Sequence, residues 1–156
     1  VDSIGRVLEV TQGPKNKYDA EPPFAFVLPG QPVQPGQAWT RPFHIVLEPP
    51  LGTGEKYLAD QVVKLLSVEG GKATLSLTTT LKNPPETPGE RAPLLQKEMQ
   101  GQVVFDTAKG QIERVQLTVD RTVEKHQGEG SSYRFASNYI EQSVAPVPIV
   151  PTSGTK

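Results

Sequence analysis

The chain has 156 residues, enough for one domain with a sizeable core, and carries sixteen Lys plus Arg against seventeen Asp plus Glu, a net charge of −1. That balance excludes the electrostatic footprint of a nucleic-acid binder, and no apolar run approaches the ~20 residues of a membrane helix. Cysteine is absent, which excludes disulfides, thiolate catalysis and Cys-ligated zinc.

Sixteen prolines and fourteen glycines point to many turns and few long helices. The chain opens on Val1 without Met or leader, which reads as a processed or trimmed chain, one from which targeting information can have been removed. Residues 3–10 alternate as a short strand. Residues 12–37 hold six prolines and predict an irregular connection, because proline removes a backbone donor and disfavours helix in the residue before it. The apolar centre of that connection, Phe24 to Leu28, is expected to pack and pin it. Together 1–37 form an N-terminal arm to a meander over 38–143, followed by a Pro-rich tail over 144–156 that should be extended and then frayed.

From Trp39 the period is two. Arg41, Phe43, Ile45 and Leu47 share one parity. Trp39 itself is expected to anchor the Pro-rich connection onto the sheet. After the turn in "EPPLGTGEK", Tyr57–Glu69 and Lys72–Lys82 read as two further strands. In the second of these Ala73, Leu75, Leu77 and Leu81 alternate with Thr74, Ser76, Thr78 and Thr80, the pattern of an antiparallel sheet dry on one face and wet on the other. Gly70-Gly71 is a two-residue hairpin signal. Pairing Glu69 with Lys72 sets Val68 opposite Ala73, Ser67 opposite Thr74 and Leu66 opposite Leu75, like with like. It also brings Lys64 and Asp60 onto the apolar face, a conflict within the same register.

Residues 83–97 form a long loop, and Pro93–Gln100 predicts one or two helical turns with Leu94, Leu95 and Met99 covering apolar surface. Met99–Asp106 and Gln111–Lys125 are the next strands. A loop over Thr107–Gly110 places Phe105 opposite Ile112, but Val115, Leu117 and Val119 then have the wrong parity. One extra residue near Glu113-Arg114 repairs this and places Val103 opposite Val115, so a β-bulge is expected there. Asp106 and Gly110 are the residues a tight turn needs, whereas a calcium loop needs more carboxylates at fixed steps. The last strand is Ser131–Gln142, reached through "HQGEG".

Catalytic grammar is thin. His44 and His126 sit in no metal-binding spacing, "LGTGEKY" lacks the phosphate-loop spacing and the helix that would follow it, and "EGSSYRF" is a hairpin edge, not a nucleophile elbow. Neither catalytic residues, nor a metal, nor a cofactor is expected, and the chain reads as not an enzyme; a hydrolase with dispersed carboxylates is the least favoured alternative. Two stretches, "LPGQPVQPGQAWTRPF" (28–43) and "GQVVFDTAKGQIERVQLTVD" (101–120), resemble uncharacterised exported β-rich proteins of planctomycete-like bacteria. More distantly they are similar to periplasmic half-barrel lipoprotein carriers. That resemblance implies a curved sheet cupping an acyl chain, closed by helices of which this chain offers only the Pro93–Gln100 segment.

The expectation is an all-β domain, a curved antiparallel meander or half-barrel of six or seven strands. Its apolar face is assigned to Phe43, Ile45, Val62, Leu66, Leu75, Leu77, Val103, Phe105, Val115, Leu117 and Val119, with Lys64 at the rim to meet an acidic headgroup or to snorkel to water. Such a face needs a cover: the 24–28 segment, the 94–99 segment, a partner chain or a lipid-like molecule. The function expected first is therefore a non-catalytic binding or carrier module for an apolar or lipid-like ligand in the cell envelope. The alternative is a structural or protein-interaction domain of a larger exported protein, making contact through its sheet edge or its Pro-rich ends.

Overall fold

The computed structural model describes residues 26–144. The predicted strand over 3–10, the residues of the Pro-rich connection before Phe26 and the tail from 145 onward lie outside them. The fold is all-β: the described residues form a single six-stranded antiparallel meander, with no described strand beyond either edge, in which β1 (Ala38–Leu47), β2 (Glu55–Glu69), β3 (Lys72–Leu81), β4 (Gln100–Asp106), β5 (Gln111–Glu124) and β6 (Ser132–Gln142) are adjacent in chain order. Every connection is therefore a hairpin or a short excursion, as expected where alternating strands are separated by Gly- and Pro-rich turns. The largest excursion, between β3 and β4, holds a four-residue helix, Pro88–Arg91, and a 3-10 helix, Ala92–Lys97. The helical stretch begins earlier than Pro93. Thr87 supplies the start, its hydroxyl donating to Glu90 Oε2 at 2.6 Å, and Pro88 occupies the first helical turn, where its missing N–H costs nothing.

The Gly70-Gly71 turn is as its sequence requires. Both residues have positive φ, 56° and 77°, and Glu69, Val68 and Ser67 pair with Lys72, Ala73 and Thr74. One step further the register changes: Leu65, not Leu66, lies opposite Leu75, and Leu66 is the extra residue of a bulge. Because side-chain direction alternates along a strand, this single insertion exchanges the faces of everything N-terminal to it. Ala59, Gln61, Val63 and Leu65 turn inward and are buried, whereas Val62 and Leu66 turn outward with 39% and 40% of their surface exposed. Three residues assigned to the apolar face, Val62, Lys64 and Leu66, are thus corrected to the outer one. Asp60 goes with them and meets Lys82 Nζ at 3.3 Å. Two buried charges would have carried a desolvation penalty that the bulge removes.

A second bulge lies where parity demanded it. Val103 pairs with Val115 and Phe105 with Ile112, with the register shift between Val104 and Phe105. The residue passed over is Glu113, and its carboxylate accepts from Lys72 Nζ at 2.7 Å. Next along the same pair of strands stands Gly101, opposite Leu117. A Cβ at this position would run into the Gln116 carbonyl oxygen and the Leu117 Cα, so β4 and β5 can approach here only because residue 101 has no side chain.

Two glycine substitutions separate these requirements. Gly71→Val should cost at least ~1 kcal/mol, since a β-branched residue resists positive φ, although its Cβ would meet nothing nearer than the Thr107 hydroxyl at 4.0 Å. Gly101→Ala should cost more, at least ~3 kcal/mol, the upper range for overpacking, because the obstacle is backbone. Urea unfolding midpoints for the two variants check the order, and a Gly101→Ala variant as stable as wild type would contradict the close approach.

Candidate functional site

The inner face of the sheet is where the predicted site residues meet. Leu75, Leu77, Val103, Val115 and Leu117 form one cluster with Val63, Leu65, Ala73 and Phe26, and Phe105 packs against its margin. Phe43 and Ile45 belong to a second cluster with Leu47, Ala59, Leu81 and Leu94. Val119 is buried as well. Nine of the twelve assigned residues therefore share this face. Sequence reasoning missed Ala59, Val63 and Leu65, although the two charges stranded on the wrong parity were the available signal for the bulge that puts them there.

The chain covers this face itself, with two separate segments. Over the first cluster lies the connection before β1, with Phe26 and Val27 buried and Leu28 and Val33 packed alongside. Trp39 holds it down: the indole Nε1–H donates to the Val27 carbonyl oxygen at 3.1 Å, and the ring meets Phe26 edge-on at 6.4 Å between centroids. The ring is half-buried, an anchor at the margin and not a core residue. Over the second cluster lies the helical segment, with Ala92, Leu94 and Leu95 buried and Leu94 packed among Phe43, Ile45 and Leu81.

Between the two clusters runs a polar row. Arg41, Gln61 and Thr79 are successive cross-strand neighbours on β1, β2 and β3. Arg41 lies over the Phe43 ring at 4.9 Å and donates through Nε to Gln61 Oε1 at 3.3 Å. Gln61 is wholly buried, and Thr79 is nearly so. The Thr79 hydroxyl makes no hydrogen bond. On the helical side of the face Glu98, also buried, pairs with Arg121 at 3.6 Å. This row can supply hydrogen bonds, but it holds neither a histidine nor a nucleophile matched to a base. His44 has outer-face parity, opposite Leu58, and His126 lies in the β5–β6 turn against Tyr133. Among the described residues, no three His, Asp or Glu side chains converge to hold a metal ion.

The loops that drew attention in the sequence are turns. Asp106 Oδ1 accepts from the backbone N–H of Ala108 and Lys109 at 3.0 and 2.9 Å, and Gly110 closes the turn at φ 66°. The Lys109 N–H, more than the nearby Lys109 ammonium, holds the Asp106 carboxyl below its usual range. In "LGTGEKY", Glu55 accepts from the Thr53 N–H and hydroxyl at 2.7 and 2.9 Å, which places a carboxylate where a phosphate would have to sit.

The sheet edges differ. Along β6, the Ser143 N–H donates to the Glu113 carbonyl oxygen and the Ser131 carbonyl oxygen accepts from Lys125 N–H. Odd-numbered residues thus direct their backbone groups at β5, and the even-numbered ones, Ser132 to Gln142, direct theirs outward. No described strand pairs with that side. Along β1, Gln37 and Leu47 bond toward β2, so Pro42 falls at an outward position and deletes a donor from the edge, a common way of blunting one. β6 contains no proline, and its two charged residues are spent within the sheet. Arg134 forks onto Asp120 at 2.6 and 2.7 Å, and Glu141 accepts from the Tyr139 hydroxyl at 2.5 Å, which with burial pushes that phenol up to about 12.

Two measurements probe this description. Thr79→Val keeps the shape and removes an unsatisfied hydroxyl, so it should raise stability by ~1 kcal/mol in urea unfolding; a loss would show that the hydroxyl has a partner. Asp106→Asn should lower Tm at neutral pH. Because the folded carboxyl titrates below its unfolded value of about 3.9, its contribution is complete above that value and fades as pH falls through the folded one. The Tm difference from wild type should therefore narrow below pH ~4, and a gap unchanged on acidification would contradict the turn's dependence on the carboxylate. No protein-family model matches the chain, and no curated protein or solved structure matches it.

Proposed function

We propose that this chain is a non-catalytic interaction domain that binds a protein partner by strand addition at the edge of β6 that no described strand pairs with. The observation that carries the reading is the asymmetry of the edges. β1 is blunted by Pro42, whereas the eleven residues of β6 present an uninterrupted row of outward donors and acceptors. Main-chain hydrogen bonds along such a row supply affinity, and alternate side chains supply selectivity. Tyr133 and Ile140, 38% and 53% exposed on opposite faces of the same strand, would flank an added strand. The resemblance to exported β-rich proteins supports placing the domain in the cell envelope as part of a larger protein.

Carriage of a lipid-like molecule is the second reading. It is favoured by the fact that the inner face is closed by two loops instead of a second sheet, so that lifting one would open a surface lined by Leu75, Leu77 and Leu117. It ranks below strand addition because those leucines are already buried by the chain's own Phe26 and its neighbours. Lys64, on the outer face, has no place in such a site.

Fluorescence anisotropy of a labelled peptide of alternating Val and Thr, a generic strand, titrated with dilute protein tests the first reading. Saturable binding is expected, at least about tenfold weaker in an Ala136→Pro variant, since residue 136 directs its N–H outward. Absence of binding, or binding indifferent to Ala136→Pro, contradicts strand addition. A fluorescent fatty acid titrated in parallel decides for the carrier if it alone binds saturably.

A further inference from the structure

Resting on the strand-addition reading, we infer that the β6 edge takes a second copy of this chain, its β6 running antiparallel across a two-fold axis at Ser137. The argument is the self-complementarity of the strand. Let the two copies overlap along the whole of Ser132–Gln142. Ser137 then faces itself, and each residue faces the one equally far on the other side of the axis. In this register the outward, even-numbered residues meet one another: Ala136 opposite Asn138, Arg134 opposite Ile140, and Ser132 opposite Gln142. These are the hydrogen-bonded pairs of an antiparallel ladder, two bonds to a pair, so about a dozen form without a gap.

The odd-numbered residues meet at the closer, non-hydrogen-bonded positions, where side-chain pairs interact most. Phe135 falls opposite Tyr139 on both sides of the axis. Tyr133 falls opposite Glu141, a carboxylate already shown to accept from a tyrosine hydroxyl. No like charges oppose one another. Displacing the copies so that Arg134 or Glu141 faces itself sets charge against like charge, and a two-residue slip toward the C-terminal end sets Phe135 against Glu141. The full overlap also continues the sheet from six strands to twelve, with the half-buried Phe135 and Tyr139 of both copies joined into one aromatic strip on the inner face. β1 cannot replace β6 in this role, because Pro42 interrupts its outward donors.

The absence of cysteine gives a clean test. Residues facing each other at a non-hydrogen-bonded position have Cα atoms ~4.5 Å apart, within disulfide reach. Ser137 is exposed and can be replaced without disturbing the core. Sedimentation velocity of the wild-type chain over a wide range of concentration should show a monomer–dimer equilibrium. Air oxidation should convert Ser137→Cys to a disulfide dimer at least about tenfold faster than Ser132→Cys, whose thiol lies at the far end of the strand from its copy. Ala136→Pro should be monomeric with an unchanged far-ultraviolet spectrum; if it fails to fold, the cysteine pair decides alone. A chain monomeric at every concentration overturns the inference, and so does a dimer in which Ser137→Cys cross-links no faster than Ser132→Cys. A monomer that still binds the Val–Thr peptide overturns only the self-pairing and leaves strand addition standing, whereas a monomer that binds no strand overturns both.

Discussion

A lone sheet has one face to keep dry and two edges to keep from pairing; among the described residues the face is covered without a second layer of strands, and one of the two edges is blunted. The decisive contact is between Trp39 and the segment before it. The indole donates to the Val27 carbonyl oxygen while its ring packs on Phe26, so the first inward residue of β1 holds down the cover over the larger apolar cluster. The helical segment between β3 and β4 does the same for the smaller cluster through Leu94. Burial of apolar side chains supplies the driving force. These two anchors hold the chain's own segments over the inner face.

The polar row of Arg41, Gln61 and Thr79 follows from this division. Two covers that do not merge leave a seam, and polar residues on three adjacent strands line it. Arg41 is held by stacking on Phe43 and by Gln61. Thr79, with an unpartnered hydroxyl, is the one member of the row whose presence the fold does not repay. With the inner face covered, the two rims differ: Pro42 closes one edge, while β6 leaves the other continuous among the described residues.

Much of this was legible in the sequence. Strict alternation located all six described strands, and like-with-like pairing fixed the Gly70-Gly71 turn. The bulge at Glu113 was legible because it separates two apolar runs of opposite parity, Phe105 with Ile112 on one side and Val103 with Val115 on the other. The bulge at Leu66 was hidden by the composition of β2. Leu65 and Leu66 are adjacent, as are Val62 and Val63, so an apolar residue was available on either parity and the alternation fitted both. Only Lys64 and Asp60, stranded on the dry side, betrayed the slip. The buried Gln61 was legible in no pattern at all, because the register that set Val62 and Leu66 inward sent residue 61 to the wet face, where a glutamine is ordinary; only the bulge turns it inward. The edge asymmetry was half-visible: Pro42 marks an edge strand by its chemistry, but that β6 ends the sheet depends on topology.

The account makes β6 the boundary between a filled interior and an available edge, and amide hydrogen exchange resolved by residue tests that boundary most directly. In dilute solution the odd-numbered amides of β6, bonded to β5, should be protected while the even-numbered amides of Arg134, Ala136, Asn138 and Ile140 exchange near the rate of a free chain and slow as concentration rises. Uniform protection of odd and even amides that is indifferent to concentration would mean that the edge is already closed by the chain itself, and would contradict the account.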